Sequence, residues 1–247
     1  SDLLYKIATN NHDANHIIID EERVSDTVKT IIGISTGKIQ EEEKDTLINL
    51  EELLHKKIVG QNEAIKAIAS TMRRSRAGLV KSNKPIGSFL FLGPTGVGKT
   101  ETAKSLAEVF FGNEEYMSRI DMNEYTMSDS SHKLLGGDNY EGDIATLIHR
   151  RPYGVLLLDE FEKSTTDVKD LFLRILDEGL FVNGSGKTTS ARTQIIIATS
   201  NAGSDYIRES GLSLNSTKKE IDEIKNKLIN HIIENNLFRP ELINRFD

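Results

Sequence analysis

The sequence predicts an α/β fold in which a parallel sheet is covered by helices on both faces. From about residue 86 onward, apolar runs of strand length alternate with segments whose apolar residues recur at helical spacing. The runs are continuously apolar, as in strands that are buried on both sides. Polar residues follow these runs directly, and parallel sheets bind their ligands at the carboxyl ends of their strands.

The predicted elements follow one another in a regular order. Four strands are predicted, at residues 88–92, 117–121, 154–160 and 193–201. A helix from Lys99 follows the first strand and is expected to bury Ala103, Leu106, Ala107 and Phe110. A second helix over 166–178 is expected to bury Val168, Leu171, Phe172, Ile175 and Leu176. The pair Asn183-Gly184 then predicts a β-hairpin.

The beginning of the chain departs from this pattern. Residues 1–50 are expected to form an arm, and residues 51–247 the α/β domain. The arm is predicted to contain a short strand at 17–19 and a helix that Gly33 stops. An acidic helix then begins near Glu41 and places Leu47, Leu50 and Leu54 on one face.

Composition excludes several kinds of protein. The chain has 247 residues and no cysteine, so disulfides, thiolate metal sites and a cysteine nucleophile are excluded. Its net charge of −7 argues against nucleic acid as a partner. The longest apolar runs are about five residues, against the roughly 18 that a membrane span needs. With no secretion signal at the start, we expect the cytoplasm, or the lumen or stroma of an organelle.

A complete phosphate-binding loop follows the first predicted strand. The run Gly93-Pro94-Thr95-Gly96-Val97-Gly98-Lys99-Thr100 fits G-x-x-x-x-G-K-[ST] and lies between a strand and a helix, as this motif requires. The glycines let backbone N–H groups surround phosphates, and the helix N-terminus adds a partial positive charge. Lys99 would reach the β- and γ-phosphates, and the Thr100 hydroxyl would bind Mg²⁺. No base-reading [Asn/Thr]-Lys-x-Asp motif of GTPases occurs, which favours ATP.

Two further strand ends carry groups suited to ATP hydrolysis. Asp159 and Glu160 end the apolar run that begins at Gly154. Asp159 is expected to bind Mg²⁺, and Glu160 to act as the general base for the attacking water. Asn201 ends the last predicted strand, where its neutral amide could orient that water near the γ-phosphate.

A second glycine-rich segment resembles a phosphate loop but fails the pattern. Residues 184–188 read Gly-Ser-Gly-Lys-Thr, yet the position of the first required glycine is Phe181. The segment also leaves a predicted helix and enters a hairpin, so we interpret it as a β-turn.

Two arginines near the end of the chain are candidates for contact with a neighbouring subunit. Arg239 and Arg245 flank a predicted short helix that begins at Pro240. Arg245 is expected to project outward, where it could reach a neighbour's γ-phosphate. Spacing alone favours a surface ion pair for either arginine.

The motifs together resemble the second ATPase module of Clp-type protein unfoldases. The resemblance runs from about Ile17 to Asp247 and rests on six stretches: RSRAGL, PIGSFLFLGPTGVGKTE, RIDMNEY, RRPYGVLLLDEFEK, ATSNAGS and FRPELINRFD. These unfoldases are hexameric AAA+ machines that use ATP to thread unfolded or aggregated polypeptides through a central pore. The resemblance therefore implies an AAA+ fold, ATP and Mg²⁺ as ligands, and self-assembly into a hexamer.

The resemblance also assigns roles to particular residues. It implies that residues 93–100 are the Walker A loop and that Asp159 and Glu160 are the Walker B pair. Asn201 matches the sensor-1 position, and Arg245 matches the arginine finger. Two residue pairs match segments that contact the nucleotide: Ile58-Val59, which would line the adenine site, and Gly33-Ile34 in the arm.

Three departures from the family are visible. The family has a pore loop that contacts the translocating polypeptide. This loop is expected between the matches at 134–136 and 150–153, and it is shorter here. Either the loop is altered, with Tyr140 as its aromatic residue, or a stretch is missing from the sequence. The helical lid of the family would follow Asp247 and is absent, as in a fragment. Ser210-Gly211-Leu212 fits only partly the loop that docks a barrel-shaped peptidase.

Alternative functions remain open at this point. The chain could be a regulatory ATPase subunit that feeds a barrel-shaped peptidase. It could also be a nucleotide-gated assembly module that binds ATP without hydrolysing it. An ABC-type ATPase is a weaker match, because Leu135 and Asp138 disagree with the signature sequence of that class.

Overall fold

The computed structural model describes residues 41–79, 83–137, 140–209 and 218–247. The predicted strand at 17–19, the helix before Gly33 and the Gly33-Ile34 pair lie outside the described residues. Residues 40–247 form one compact unit.

Helices precede, separate and follow the strands of the described chain. The helices are α1 (Glu41–Ile48), α2 (Leu50–His55), α3 (Asn62–Arg76), α4 (Lys99–Phe111), α5 (Ser130–Leu135), α6 (Asp143–Arg150), α7 (Thr166–Glu178), α8 (Ser204–Glu209), α9 (Lys218–Glu234) and α10 (Pro240–Ile243). The strands are β1 (Gly87–Leu92), β2 (Met117–Asp121), β3 (Gly154–Asp159), β4 (Leu180–Val182), β5 (Thr188–Ser190) and β6 (Gln194–Ser200). All four predicted strands are present, each within one residue of its predicted ends.

The main sheet is parallel throughout, as predicted. Its strand order is β1-β6-β3-β2. The register pairs Leu92 with Ser200 and Asp121 with Asp159, so the carboxyl ends of the strands meet at one edge. This edge is where the sequence places its candidate site residues.

Both faces of the sheet are covered. Successive β3 residues point to opposite faces, and none of the four from Val155 to Leu158 is more than 1% exposed. The five α7 residues predicted to be buried are all buried on one face, where Phe161 meets Phe172 edge to face at 5.5 Å. The prediction of Phe110 as an α4 core residue is wrong, because Phe111 continues the four-residue spacing from Ala103 and Ala107 and is buried instead.

The small hairpin confirms the interpretation of residues 184–188 as a turn. The turn joins β4 to β5, and these two strands pair antiparallel. Inside the turn, the Asn183 side chain accepts a hydrogen bond from the backbone N–H of Lys187 at 2.8 Å. The Gly184 N–H donates to the Leu135 carbonyl at 2.8 Å and fixes the hairpin to the last residue of α5.

No helix within the described ranges is both long enough and apolar enough to span a membrane.

Candidate nucleotide-binding site

The phosphate loop is formed where β1 ends and α4 begins. Its backbone takes positive φ at Gly96 (83°) and at Gly98 (94°), a region that residues with a Cβ rarely adopt. The Gly93 N–H donates to the carbonyl of Ser200 at 3.2 Å, which ties the loop to the end of β6. The loop is therefore held between two adjacent strand ends, with its backbone curled in the manner that phosphate binding needs.

Lys99 lies across the loop. Its ammonium donates to the carbonyls of Gly93 (2.6 Å) and Pro94 (3.0 Å) and to the side-chain oxygen of Asn201 (2.9 Å). Burial lowers the pKa of Lys99, and the nearby carboxylate of Glu162 acts in the opposite direction. The lysine is thus already aimed into the loop and joined to the residue at the end of the neighbouring strand.

Asp159 lies at the end of β3 with both carboxylate oxygens engaged. One oxygen accepts a hydrogen bond from the Thr199 hydroxyl. The other lies 2.6 Å from a guanidinium nitrogen of Arg119 on β2. The carboxylate is only 15% exposed, so these two contacts fix its orientation.

Glu160 has a strained backbone. Its φ of 56° places a residue with a side chain in the left-handed region, a state that often marks functional sites. Its N–H donates to the Thr199 hydroxyl at 3.2 Å, and its carboxylate accepts from the Asn123 side-chain amide at 2.8 Å. Asn123 is held in turn by Asp121, at 2.9 Å from its side chain.

Asn201 connects the loop with a further carboxylate. Its side-chain oxygen accepts from Lys99 and, at 3.4 Å, from the Thr95 hydroxyl. Its backbone N–H donates to Glu162 at 3.1 Å. The other Glu162 oxygen is buried and has no hydrogen-bond partner among the described residues.

The residues at this edge fit a magnesium ion that is shared with nucleotide phosphates. Asp159 supplies a carboxylate, and Thr100, the second residue of α4, supplies a hydroxyl. Such hard oxygen ligands suit Mg²⁺, which binds through one or two protein groups together with phosphates and water. No group of three or more His, Asp or Glu side chains in the described part of the chain could hold a metal ion alone.

An apolar cavity of about 470 Å³ adjoins the loop. Gln61, Ala64 and Val97 line it, and the Gln61 side chain donates to the Val97 carbonyl at 2.9 Å. Ile58 and Val59 do not line this cavity. Ile58 is buried in the core, whereas Val59 is 98% exposed. Their assignment to the adenine site stays a prediction.

Comparison with known proteins identifies the family. Residues 84–247 match the model of the AAA domain (Cdc48 subfamily). The chain belongs to this family. Its sheet and phosphate loop therefore form the AAA+ P-loop fold that the sequence predicts.

Similar proteins narrow the family to Clp-type chaperones. The chain is 44% identical over 237 residues to the chaperone protein ClpB of Bacteroides thetaiotaomicron, covering 93% of the chain and 27% of the relative. It is 43% identical over 233 residues to the chloroplastic ClpB3 of Arabidopsis thaliana, covering 91% of the chain and 24% of the relative. A closed-state cryo-EM reconstruction of Hsp104 with ATPγS and FITC casein has a TM-score of 0.80 and 36% identity, covering 92% of this chain and 39% of that one. These matches confirm the predicted resemblance, and the chain spans about a quarter of the length of these ClpB relatives.

The arginine segment of this AAA domain lies at the opposite edge of the sheet. The Ser88 hydroxyl, near the start of β1, donates to the backbone carbonyl of Arg245 at 3.2 Å. Ser88 precedes the end of β1 by four residues, or about 13 Å of extended strand. Arg245 is therefore remote from the phosphate loop of its own chain.

Both arginines form ion pairs with α7. Arg245 lies 3.0 Å from Asp177, and its side chain is 35% exposed. Arg239 lies 3.0 Å from Asp170. These contacts confirm the ion pairs that spacing alone favours. Arg245 is not free to project outward, because α7 supplies a carboxylate that is distant in sequence.

Four residues of the AAA domain site did not stand out in the sequence. They are Arg119, Asn123, Glu162 and Thr199. Thr199 and Arg119 each lie two residues before a polar strand end, so strand alternation places each on the same face as Asn201 or Asp121. Only the pairing of β2 with β3 brings Arg119 to Asp159, and only the pairing of β3 with β6 brings Thr199 to Asp159 and Glu160.

Proposed function

We propose that this AAA domain binds and hydrolyses Mg²⁺-bound ATP as one module of a hexameric protein unfoldase or disaggregase. One observation carries the proposal: Lys99, Asp159, Glu160 and Asn201 converge beside the phosphate loop at the carboxyl edge of the sheet. The chaperone names of its relatives support a role on unfolded or aggregated polypeptides.

Binding would use the loop backbone and Lys99. The N–H groups from Gly93 to Thr100 would surround the β- and γ-phosphates. The Lys99 ammonium would exchange the carbonyls of Gly93 and Pro94 for phosphate oxygens, a stronger interaction because both partners are charged. Thr100 and Asp159 would hold Mg²⁺, which neutralises the phosphate charge that develops during transfer.

Hydrolysis would use the strand ends next to the loop. Glu160 would accept the proton of the attacking water. Asn123, at 2.8 Å, fixes the direction of the Glu160 carboxylate. Asn201 would orient the water and the γ-phosphate, and Glu162 holds the backbone of Asn201 in place.

Completion of the site would require a second subunit. Arg245 is at the amino edge of the sheet, so it could serve only the nucleotide of a neighbouring chain. A guanidinium supplied in this way stabilises transition-state charge. In this chain the Arg245 guanidinium is paired with Asp177. To contact the neighbour's γ-phosphate, it would share its N–H groups between Asp177 and the phosphate or leave Asp177 for the phosphate.

Contacts with unfolded polypeptides and with a barrel-shaped peptidase are proposed for the full-length protein. Tyr140 lies in the region of the predicted pore loop. Its side chain is 54% exposed, and its hydroxyl donates a hydrogen bond to the His132 carbonyl at 2.9 Å. Residues 210–212, which partly fit a peptidase-docking loop, lie outside the described residues. We propose the cytoplasm, or the lumen or stroma of an organelle, as the location.

Steady-state ATP hydrolysis by the full-length protein tests the proposal. We expect turnover by assembled hexamers and faster turnover when a permanently unfolded protein is added. A Lys99→Ala variant is the control for hydrolysis at this loop. Nucleotide binding without turnover in assembled hexamers would contradict the proposal and favour a nucleotide-gated assembly module.

A further inference from the structure

The Walker B carboxylate is paired with a cation of its own chain. A guanidinium nitrogen of Arg119 lies 2.6 Å from one Asp159 oxygen, while Asp121 lies 3.9 Å from the same nitrogen. The second Asp159 oxygen accepts from the Thr199 hydroxyl. Each Asp159 oxygen thus already has one partner, and a metal ion that binds the second of them would share it with Arg119.

A second cation nearby has a different partner. Arg119 and Lys133 both line a surface hollow of about 320 Å³ beside β2. Lys133, however, pairs with Glu124 at 2.6 Å and lies 4.8 Å from the centre of the Tyr125 ring. The hollow therefore holds two positive side chains, of which Arg119 is the one in contact with Asp159.

We propose that Arg119 is a positioning residue that competes with Mg²⁺ for Asp159. This inference rests on the proposed function, because it assumes that Mg²⁺-bound ATP uses this site. Two cations that share one carboxylate oxygen repel each other, so the metal must displace the guanidinium or bind beside it at an electrostatic cost. Arg119 thereby orients the carboxylate and weakens metal binding.

The position of Arg119 makes such displacement feasible. β2 is the edge strand of the described sheet, and the Arg119 side chain is 52% exposed. A long, half-exposed side chain can leave Asp159 without disturbing the core. Its ion pair is also screened by solvent, so the competition is expected to be modest.

The experiment measures how strongly Mg²⁺ and ATP binding are coupled. The affinity for a fluorescent ATP analogue is measured in saturating Mg²⁺ and in EDTA for the full-length parent, Arg119→Met and Lys133→Met. The affinity in Mg²⁺ divided by the affinity in EDTA is the ratio that measures how strongly metal binding and nucleotide binding are coupled. We expect this ratio to rise about threefold to tenfold in Arg119→Met, because one competing charge is removed.

Lys133→Met is the matched control, since it removes a positive charge from the same hollow but not from Asp159. Its ratio should stay within about twofold of the parent value. An unchanged or smaller ratio in Arg119→Met, or an equal rise in both variants, would overturn the inference. Binding of the analogue in EDTA shows that each variant is folded. If the parent does not bind the analogue under either condition, the proposed function itself fails.

Discussion

At the level of single residues, Lys99 is the side chain on which we expect nucleotide binding to depend most. Its ammonium is shared by two loop carbonyls and Asn201, and no other described lysine or arginine contacts the loop carbonyls of Gly93 and Pro94. We therefore expect phosphate binding at this loop to rely on one cation together with backbone N–H groups.

Lys99→Ala should abolish measurable ATP binding. The loop would lose the charge that faces the β- and γ-phosphates, while α4 would keep a good helix former at its first position. Titration of the variant with ATP at low salt measures the effect. Lys66→Ala, which changes an exposed lysine on α3, is the control. Binding of ATP by Lys99→Ala at the parent affinity would contradict the assignment of the phosphate loop.

Glu160→Gln should bind ATP as the parent does but hydrolyse it about 10²–10⁴-fold more slowly. The amide keeps the shape of the side chain yet cannot accept the proton of the attacking water. Single-turnover hydrolysis by assembled hexamers measures the rate, with the exposed Glu178→Gln on α7 as the control. Parent-like turnover in Glu160→Gln would show that another group is the base.

At the level of elements, the strands could be predicted from sequence and the contacts between them could not. The runs at β3 and β6 are continuously apolar, which is typical of strands buried on both faces. The positions of Asp159 and Asn201 at one edge follow from that pattern. The ion pair of Arg119 with Asp159 depends on the β2–β3 register, which composition and periodicity do not determine.

The β4–β5 hairpin docks so closely that Gly184 has no room for a side chain. A Cβ there would overlap the carbonyl of Gly136. We expect Gly184→Ala to lower the free energy of unfolding by about 2–4 kcal/mol, because the hairpin must move away from the chain after α5. Equilibrium unfolding in urea measures the loss.

Gly186→Ala, in the same turn, separates crowding from backbone strain. Its φ is +79° and no atom lies within 4 Å of the position of a Cβ. We expect a loss of only about 1 kcal/mol, the usual cost of a left-handed residue that is not glycine. If Gly186→Ala lowered the free energy of unfolding as much as Gly184→Ala or more, the close contact of Gly184 with Gly136 would be contradicted.

At the level of the whole molecule, the parallel sheet separates two parts of the proposed catalytic site. The phosphate loop lies at the carboxyl edge, and Arg245 lies near Ser88 at the amino edge. The loop could be recognised from a short motif. The location of Arg245 could not, because it depends on contacts with Ser88 and Asp177 that are far apart in sequence.

Arg245→Ala should leave the nucleotide affinity of each subunit nearly unchanged and lower turnover in hexamers by about 10³–10⁵-fold. In the proposed function, the guanidinium acts on the neighbour's γ-phosphate, whereas binding uses the subunit's own loop. The ATP affinity of the variant and its turnover under conditions where hexamers form are measured side by side.

The mixing of two inactive variants tests the shared site most directly. Arg245→Ala subunits keep an intact phosphate loop, and Lys99→Ala subunits keep an intact arginine. In mixed hexamers, some interfaces combine the intact loop of one subunit with the arginine of the other, so ATP hydrolysis should reappear. The account predicts turnover in the mixture well above the sum of the two variants alone. No recovery in hexamers shown to be mixed, or parent-like activity of Arg245→Ala alone, would contradict it.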